Sequence, residues 1–476
     1  MQDLYYLSAI EALSLFRTRD LSPVELTEAV IARAEQVEPA INAFAERLYD
    51  RALREARLAE KRYAKTSVEA PRALEGIPVA IKEEQPIAGM PAREGSLLTQ
   101  DHVAEVTHPV VERIIAAGGI VHARTTTPEF SCAAFTHSRL WGITRNPWNL
   151  EYSPGGSSGG SGASLAAGTT TLATGSDIGG SIRIPASFCG IVGFKPPYGR
   201  VPALPPFNLD HYCHDGPLAR TVADCALLQN VIAGPHVHDV VSLRPAARIP
   251  DRLDDIVSLK IALSLTLGDY AVDPDVAANT LVVGDALRDA GAVVEQVDLE
   301  WHRADILRAA NVHFGVIFGP AIATVIGDSP DLVNPYTRKF VEDAQKAAQI
   351  TSYLEGLAIE GEIYSALGEL LQAYDVLICP TTAIPAFRAG DDYTESKVTV
   401  DGVELSDYFE ALLTPAFNIA SRCPVLSVPS GRARSGVPTG VQIVGRTYED
   451  EMVFRVAAAL EQIRPWFGDP GWRPPL

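Results

Sequence analysis

Two segments rich in glycine and serine hold the residues of this chain with the clearest chemical potential. Residues 153–162 contain only glycine, serine and proline, and residues 175–181 read Gly-Ser-Asp-Ile-Gly-Gly-Ser. A serine hydroxyl becomes a nucleophile when a neighbouring base takes its proton, and backbone amides of glycine-rich turns can converge on a developing negative charge. The two segments therefore indicate covalent catalysis by serine, with a flexible linker as the competing interpretation of the first.

Three sharper interpretations compete for these segments. A phosphate-binding loop is disfavoured because no Gly-Lys-Ser/Thr follows and no GxGxxG pattern fits. A nucleophile elbow is disfavoured because no strand immediately precedes the GxSxG match at residues 155–159. The SxxK arrangement fails, since no lysine has a serine three residues before it. A serine activated by a lysine from elsewhere in the chain remains.

Lys82 is the candidate for that lysine because it ends a short apolar run, residues 77–81, which predicts a buried strand. Active-site residues of open α/β sheets gather at strand ends. Lysine titrates near 10.4 in water, so a lysine that serves as a base near neutral pH must be desolvated. The spacing alone still allows a solvated lysine at the end of a strand.

Alternating strands and helices must position these residues. The sequence predicts strands at about 77–81, 120–123, 169–174, 260–264, 292–297, 375–379, 425–428 and 440–444. It predicts helices that begin at the Ser-Pro-Val-Glu capping pattern of residues 22–25 and at about 110–117, 163–167, 273–291 and 449–462. Such alternation predicts the α/β class.

Composition restricts the partners and the compartment. Forty Lys and Arg against 59 Asp and Glu give a net charge of −19, which argues against nucleic acid and against an anionic membrane surface. The six cysteines are dispersed and form no zinc pattern. We find no signal-peptide pattern and no apolar run of about 20 residues. We therefore expect a cytoplasmic protein with reduced thiols, with a homodimer as one candidate assembly.

Residues 154–162 and 175–186 together resemble the amidase signature, a long motif without gaps. Agreement extends to segments on either side, at residues 76–82, 127–130, 144–149, 193–196, 199–201 and 438–445. The resemblance covers nearly the whole chain and is weakest at 236–374. It implies an α/β fold with a large mixed β-sheet covered by α-helices on both faces, and a reaction that needs neither metal nor cofactor.

The resemblance also implies a Ser–cis-Ser–Lys triad. Carried over to this sequence, Ser181 is the nucleophile, Ser157 is the bridging serine on a cis peptide, and Lys82 is the base. Such a triad forms a seryl acyl-enzyme, releases an amine, and is then freed by water.

Several neighbouring residues are expected to support this triad. Backbone amides at Ile178, Gly179, Gly180 and Ser181 are the expected oxyanion hole. Asp177 and Arg183 are expected to brace the loop, and Ser158 to support Ser157 or to pack beside it. Ser131 and Cys132 are expected to contact the substrate.

The region after Lys82 departs from the family pattern. Glu83 and Glu84 follow the lysine, where the family usually has aspartate. A carboxylate at position 84 on the same side of the strand would favour the ammonium form of Lys82 and make it a poorer base. Arg93 is expected to neutralise that carboxylate.

We expect a single domain, with a helical region at 1–70, a catalytic core carrying the signature at 71–235, a variable insertion or lid at 236–374, and the rest of the core at 375–476. The apolar segments 131–135 and 207–213 predict a pocket for a neutral small molecule. His211 and His214 flank Cys213, and we interpret this cluster as packing in a pocket wall, because a metal site would need further ligands.

The expected reaction is hydrolysis of a carbon–nitrogen bond in an apolar or aryl carboxamide-type substrate: an amide, anilide, hydrazide or carbamate. The competing function is the amidase-like subunit of a tRNA-dependent amidotransferase complex. Ile184 argues against it, because those subunits usually carry glutamine there, and so does the unlike segment at 202–206.

Overall fold

An eleven-stranded sheet forms the centre of the computed structural model, which describes residues 3–65, 68–469 and 471–476. The strands of this sheet and of two small hairpins are β1 (Phe44–Arg47), β2 (Pro78–Lys82), β3 (Ile120–Thr125), β4 (His137–Ser138), β5 (Gly142–Ile143), β6 (Leu172–Asp177), β7 (Val192–Lys195), β8 (His214–Ala219), β9 (Lys260–Leu263), β10 (Val293–Gln296), β11 (Val376–Pro380), β12 (Thr399–Val400), β13 (Val403–Glu404), β14 (Val425–Arg432) and β15 (Pro438–Gly445).

The main sheet is mixed. Its strand order is β1-β3-β2-β6-β8-β7-β14-β15-β11-β9-β10. Pairing is parallel between β2 and its neighbours β3 and β6, and between β9 and its neighbours β10 and β11. The remaining pairs of neighbours are antiparallel. The predicted α/β class with a large mixed sheet is confirmed.

Fourteen α-helices accompany the sheet in the described part of the chain: α1 (Ala9–Thr18), α2 (Pro23–Ile41), α3 (Tyr49–Arg62), α4 (Pro109–Ala116), α5 (Gly159–Ala167), α6 (Arg183–Cys189), α7 (Val222–Ile232), α8 (Pro274–Asp289), α9 (Arg303–Val316), α10 (Phe318–Ile326), α11 (Pro335–Ile350), α12 (Tyr353–Ala373), α13 (Ala416–Ile419) and α14 (Asp450–Ile463). Helix α2 begins with the predicted capping box, in which Ser22 and Glu25 each accept the other's backbone N–H.

Alternation along β2 divides its side chains between two hydrophobic cores. Val79 and Ile81 belong to the core that includes α4, α7, α8 and α14. Ala80 belongs to the core that includes α2, α5 and α6. Because successive side chains of a strand point to opposite faces, Lys82 lies on the same side as Ala80. The lysine is thereby directed toward the glycine- and serine-rich segments.

The strand predicted at 169–174 lies three residues further along the chain. Hydroxyls of Thr169 and Thr170 donate to the carbonyls of Ser164 and Leu172, at 3.2 and 2.8 Å. These threonines therefore close the turn after α5, since local side-chain bonds of this kind compete with a strand ladder. Strand β6 then continues to Asp177, which pairs with the start of β8.

The amino-terminal region contributes a strand to the sheet that was not predicted, and the middle region contributes the two strands predicted at 260–264 and 292–297. The region 1–70 includes the edge strand β1 in addition to its helices. In the region 236–374, β9 and β10 join the opposite edge of the sheet. Helices α9, α10 and α11 in that region supply Phe314, Phe318 and Phe340 to the site described below.

Helices α9 and α10 meet at a bend of 42°. By length and composition alone this bent pair could cross a membrane, whereas no single helix in the described ranges is long and apolar enough to do so. Helix α9 also lies very close to α11 at Gly315. An added Cβ at Gly315 would overlap the carbonyl oxygen of Ala344 and lie 2.8 Å from Cβ of Ala348.

We expect Gly315→Ala to lower the free energy of unfolding by about 1–3 kcal/mol, because the added methyl forces α9 and α11 apart. Helix propensity alone would favour alanine by about 1 kcal/mol. Gly361→Ala in α12 is the matched control, since nothing lies within 4 Å of its added Cβ. Urea unfolding of both variants checks this prediction, and equal effects would contradict it.

Candidate active site

Lys82 lies at the carboxyl end of β2, between β3 and β6, and its side chain is completely buried. Its backbone N–H donates to the hydroxyl of Thr174 on β6 at 3.1 Å. This contact fixes the end of the strand, so the amine is held in one position beside the two serine-bearing segments.

Ser157 lies two residues before α5 and contacts Lys82. The amine of Lys82 donates to Ser157 Oγ at 2.7 Å, and the Gly156–Ser157 peptide is cis. A Cβ at Gly156 would lie 2.6 Å from the backbone of Ala133 and Phe135, so only glycine fits this close approach. The serine segment is therefore part of the packed core and is not a flexible linker.

Ser181 lies two residues before α6, at the end of the Gly179-Gly180 turn. Its carbonyl accepts the N–H of Ser158 at 3.2 Å, which ties the two serine segments together. Ser181 and Gly156 line the same small cavity. The structure thus brings Lys82, Ser157 and Ser181 together, although they are separated by up to 99 residues in sequence.

Three of the four backbone amides expected to form an oxyanion hole remain available. Within the described residues, the N–H groups of Ile178, Gly179 and Ser181 have no hydrogen-bond acceptor. The N–H of Gly180 instead donates to Asp177 Oδ1 at 2.9 Å. The expectation for Gly180 is therefore corrected: its amide already donates to the carboxylate of Asp177 and is not a free donor.

Asp177 and Arg183 form a buried ion pair at 2.8 Å, and both side chains are fully buried. Asp177 also accepts the backbone N–H of Ile182 at 3.2 Å. Arg183 reaches beyond the loop to three acceptors, namely the carbonyl of Thr414, the side-chain oxygen of Asn418 and that of Gln442, at 2.7 to 3.0 Å. The pair braces the segment on which Ser181 lies.

Electrostatics of this pair favour the ionised carboxylate. Burial alone would raise the pKa of Asp177, but the charge of Arg183 and hydrogen bonds from Arg183 and Asn418 outweigh burial and hold that pKa well below its usual range. The negative charge is therefore permanent at neutral pH.

Ser176 and Glu84 complete the contacts of the lysine amine, and sequence reasoning gave Ser176 no role. The amine lies 2.7 Å from Ser176 Oγ and 2.6 Å from Glu84 Oε2. Ser131 and Ser176 each donate to Glu84 Oε2 at 2.8 Å. Ser176 could have been found from the period of β6, because it stands two residues from Thr174, the strand residue that bonds the Lys82 backbone.

Ser158 supports the neighbouring strand, whereas Arg93 does not contact the partner expected for it. Ser158 Oγ contacts the backbone of Ser176 at 3.3 Å, so it joins α5 to β6. Arg93 does not neutralise Glu84: its guanidinium donates to the carbonyl of Gln100 and to Glu46. The expectation for Arg93 was wrong because the loop after β2 turns its side chain toward β1.

Two adjoining cavities open at the serines. The smaller, of about 340 Å³, contains Ser181 and has a mainly apolar wall made of Cys132, Ala133, Ala134, Ile178, Ile184, Phe314, Phe318, Phe340, Phe409 and Leu412. The larger, of about 1420 Å³, contains Ser157. Ser131, Ile178 and Phe318 line both, so the two cavities form a continuous site with Ser131 at the junction.

The larger cavity is more acidic than the sequence predicted. Phe207 and Cys213, from the segment expected to form an apolar wall, line it together with Glu84, Glu94 and Asp215. Burial raises the pKa of Glu94 to about 8, and the negative charges of the neighbouring glutamates act in the same direction. The expectation of few charges therefore holds for the Ser181 side of the site only.

Asp210, His211 and His313 are the one group within the described ranges whose ligand atoms are close enough to hold a metal ion. His313 Nε2 lies 2.7 Å from Asp210 Oδ1, and His211 Nε2 lies 3.3 Å from Glu360. His313 Nδ1 has no partner in the described residues, whereas a metal-bound histidine almost always donates through its second nitrogen. We interpret the group as a contact between the loop before β8 and helices α9 and α12.

His214 lies apart from that group and bonds backbone carbonyls, including that of Tyr212, at 2.7 Å from its Nδ1.

Comparisons with family models, known sequences and solved structures agree on one protein family. A family model described as Amidase matches residues 25–454. The chain is 33% identical over 477 residues to an acylamidase of Rhodococcus erythropolis, covering 98% of this chain and 97% of the relative. It is also 33% identical over 483 residues to a glutamyl-tRNA(Gln) amidotransferase subunit from a Cyanothece species, covering 94% and 96%.

Among solved structures, a bacterial aryl acylamidase of the amidase signature enzymes superposes with a TM-score of 0.88 at 27% identity, covering 97% of each chain.

We expect Asp177→Asn to lower the free energy of unfolding by about 3–5 kcal/mol at neutral pH, because it leaves the buried Arg183 without its carboxylate. The native pKa of Asp177 lies below the ordinary aspartate value of about 3.9, so its contribution is complete above that value and is lost as the pH falls. The difference in the free energy of unfolding between the native protein and Asp177→Asn should therefore narrow in acid. Urea unfolding at about pH 7 and at about pH 3, which lies below the ordinary aspartate value, measures it.

Asp251→Asn is the control, because it removes an ion pair with Arg248 in which both side chains are largely exposed. Such a change should leave stability within about 0.5 kcal/mol. Comparable losses in the two variants would contradict a special role for the buried pair.

Proposed function

This chain belongs to the amidase signature family, and on that premise we propose that it hydrolyses a neutral, apolar or aryl carboxamide-type substrate through a Ser181 acyl-enzyme. Membership of the family makes the protein an enzyme that hydrolyses amide carbon–nitrogen bonds. The hydrogen bond of 2.7 Å between Lys82 and Ser157, beside the cavity that contains Ser181, carries the proposal.

In the proposed first step, Ser181 Oγ forms a bond with the substrate carbonyl carbon. Its proton passes to Ser157, and the Ser157 proton passes to the neutral amine of Lys82. The carbonyl electron pair moves onto oxygen and is stabilised by the free amides of residues 178, 179 and 181. One such donor typically contributes a factor of about 10²–10³ in rate.

In the second step, the ammonium of Lys82 returns a proton through Ser157 to the departing nitrogen. The carbon–nitrogen bond breaks and the amine leaves. Water then attacks the acyl-enzyme by the same route, and the acid is released from Ser181. Every proton that the scheme needs is carried by the three side chains.

Shape and charge of the two cavities support the proposed substrate class. Four phenylalanines surround the Ser181 cavity, namely Phe314, Phe318, Phe340 and Phe409. An aromatic or aliphatic group is favoured in such an environment. Glu84 in the adjoining cavity is ionised and disfavours a carboxylate on the substrate, because like charges repel.

A second candidate is the catalytic subunit of a glutamyl-tRNA(Gln) amidotransferase, because relatives with that name are as similar as the acylamidase. Such a protein would require partner proteins and charged tRNA. Ile184 lines the Ser181 cavity in this chain and adds to its apolar wall, which supports hydrolysis of an apolar amide by the single chain.

We expect the purified chain alone to hydrolyse a simple aryl amide and to form an acyl adduct on Ser181. Ser181→Ala should abolish both hydrolysis and adduct, because the remaining hydroxyls lack the position of the nucleophile. Intact-mass spectrometry with peptide mapping measures the adduct over a panel of amides, anilides, hydrazides and carbamates. An adduct that persists in Ser181→Ala on another serine would contradict the assignment of Ser181 as the nucleophile.

The panel also tests charge preference. We expect kcat/KM for a neutral anilide to exceed that of the matching anilide with a carboxylate on its acyl group by at least about tenfold, corresponding to about 1.4 kcal/mol. A preference for the acidic member would refute the proposed substrate class. Activity that requires tRNA and added partner proteins would favour the amidotransferase.

A further inference from the structure

Lys82 has an arrangement of partners that fits its charged form. Its amine lies 2.7 Å from the hydroxyls of both Ser157 and Ser176, and 2.6 Å from the carboxylate of Glu84. An ammonium has three protons to donate, and these three acceptors use all of them. The side chain is fully buried, so in this arrangement no solvent contact competes with these bonds.

Glu84 is held firmly in place beside the amine. Strand β2 ends at Lys82, and a turn at residues 83 and 84 brings the carboxylate back toward it. Ser131 and Ser176 both donate to the same carboxylate oxygen that contacts Lys82, each at 2.8 Å. The Glu84 side chain is 32% exposed and lines the larger cavity, so it connects the buried amine to that cavity.

We propose that Glu84 holds Lys82 in its ammonium form in the free enzyme and thereby sets the pH above which Lys82 accepts the proton of Ser181. The inference rests on the proposed function of Lys82 as the base. To start a turnover, Lys82 gives one proton to hydroxide, forming water, while Glu84 stays ionised. Glu84 is a positioning residue, because it acts on the reaction through Lys82.

Ionisation of Glu84 is supported by its own surroundings. Burial raises the pKa of Glu84, but the charge of Lys82 and hydrogen bonds from Lys82, Ser131 and Ser176 outweigh burial and lower it. The carboxylate is therefore negative throughout the range in which a lysine titrates.

Other titratable groups face this pair from three elements. Glu83 and Glu94 lie on the loop after β2, and burial raises their pKa values to about 7 and about 8. Asp215 on β8 has a pKa raised by burial, opposed by His108 and Gln85. Cys213, just before β8, has a pKa raised far above its usual range by burial and by nearby carboxylates.

Among these groups, Glu94 is the one whose ionisation could mask the effect of removing the Glu84 charge on the pH profile. It is close enough for the charge of Glu84 to raise its pKa. When the charge at position 84 is removed, Glu94 ionises at a lower pH and supplies a more distant negative charge in its place. A test of Glu84 therefore needs a variant that removes both.

The test is the pH dependence of Ser181 sulfonylation by phenylmethanesulfonyl fluoride, followed by intact mass from about pH 6 to about pH 11, a range that spans the ordinary value for lysine. In this reaction the Ser181 Oγ–sulfur bond forms, fluoride leaves, and the Ser181 proton passes through Ser157 to Lys82. The reagent needs no knowledge of the natural substrate.

We expect Glu84→Gln to move the acid limb of this profile down by about 1–3 pH units, the effect of an opposite charge at this distance. Glu84→Gln with Glu94→Gln should move it at least as far. Glu84→Asp keeps the negative charge, so the acid limb of its pH profile should stay closer to the native position than that of Glu84→Gln. This holds whatever the change in the maximal rate at high pH. Asp101→Asn removes an exposed carboxylate from a nearby loop and should leave the profile unchanged.

A role for Glu84 in structure alone predicts a different result. The rate would then fall at every pH in Glu84→Gln while the limb stayed in place, and that outcome overturns the inference without touching the proposed function. Glu84→Ala provides the same measurement if the amide variant does not fold. Absence of any Ser181 modification in the native protein would instead overturn the proposed function, and the inference with it.

Discussion

A lysine amine with no exposed surface constrains everything around it. Burying a charged group is costly unless it is paired and fully hydrogen-bonded. At Lys82 the three acceptors come from separate parts of the chain: the turn after β2, the segment before α5, and β6. Each of these segments must be correctly placed for the amine to be satisfied. The site is therefore assembled as one unit, and a shift of any one segment removes one of the three partners of a buried amine.

Close packing is what allows the serine segments to reach the amine. The residues from Gly155 to Ala167 are all buried, including every residue of α5. Glycine at position 156 lets the chain pass against the backbone of Ala133 and Phe135. A second buried cation, Arg183, then fixes the next segment through Asp177. Two buried cations with their anions thus lie on the two sides of Ser181, Lys82 on one side and Arg183 behind the loop that carries Ser181.

Local patterns in the sequence predicted the parts of the fold that depend on near neighbours. The capping residues of α2 and the apolar run before Lys82 indicate their elements directly, because the determining contacts lie within a few positions. Strands β7 and β8 carry no clear alternation, since Gly193 and Gly216 interrupt them. Their place in the sheet depends on neighbours that are distant in sequence.

Within the site, residue types were predictable and their partners were not. The pattern indicated four amides for the oxyanion, but the hydrogen bond from Gly180 to Asp177 depends on the exact turn of the loop. Glu84 meets Lys82 through a turn, although the prediction relied on a continuing strand. The acidity of the larger cavity arises where Glu94 and Asp215 converge from different elements, and no local pattern reports such a convergence.

The reach of Arg183 has a consequence for how the protein is made. Its acceptors Thr414, Asn418 and Gln442 lie 231, 235 and 259 residues further along the chain. Synthesis proceeds from the amino terminus, and earlier parts of a chain begin to fold first. A growing chain therefore carries Lys82, Ser157 and Ser181 long before the residues that hold the Ser181 loop have been translated. The contacts that hold the Ser181 loop are therefore complete only after β15, which contains Gln442, has been made.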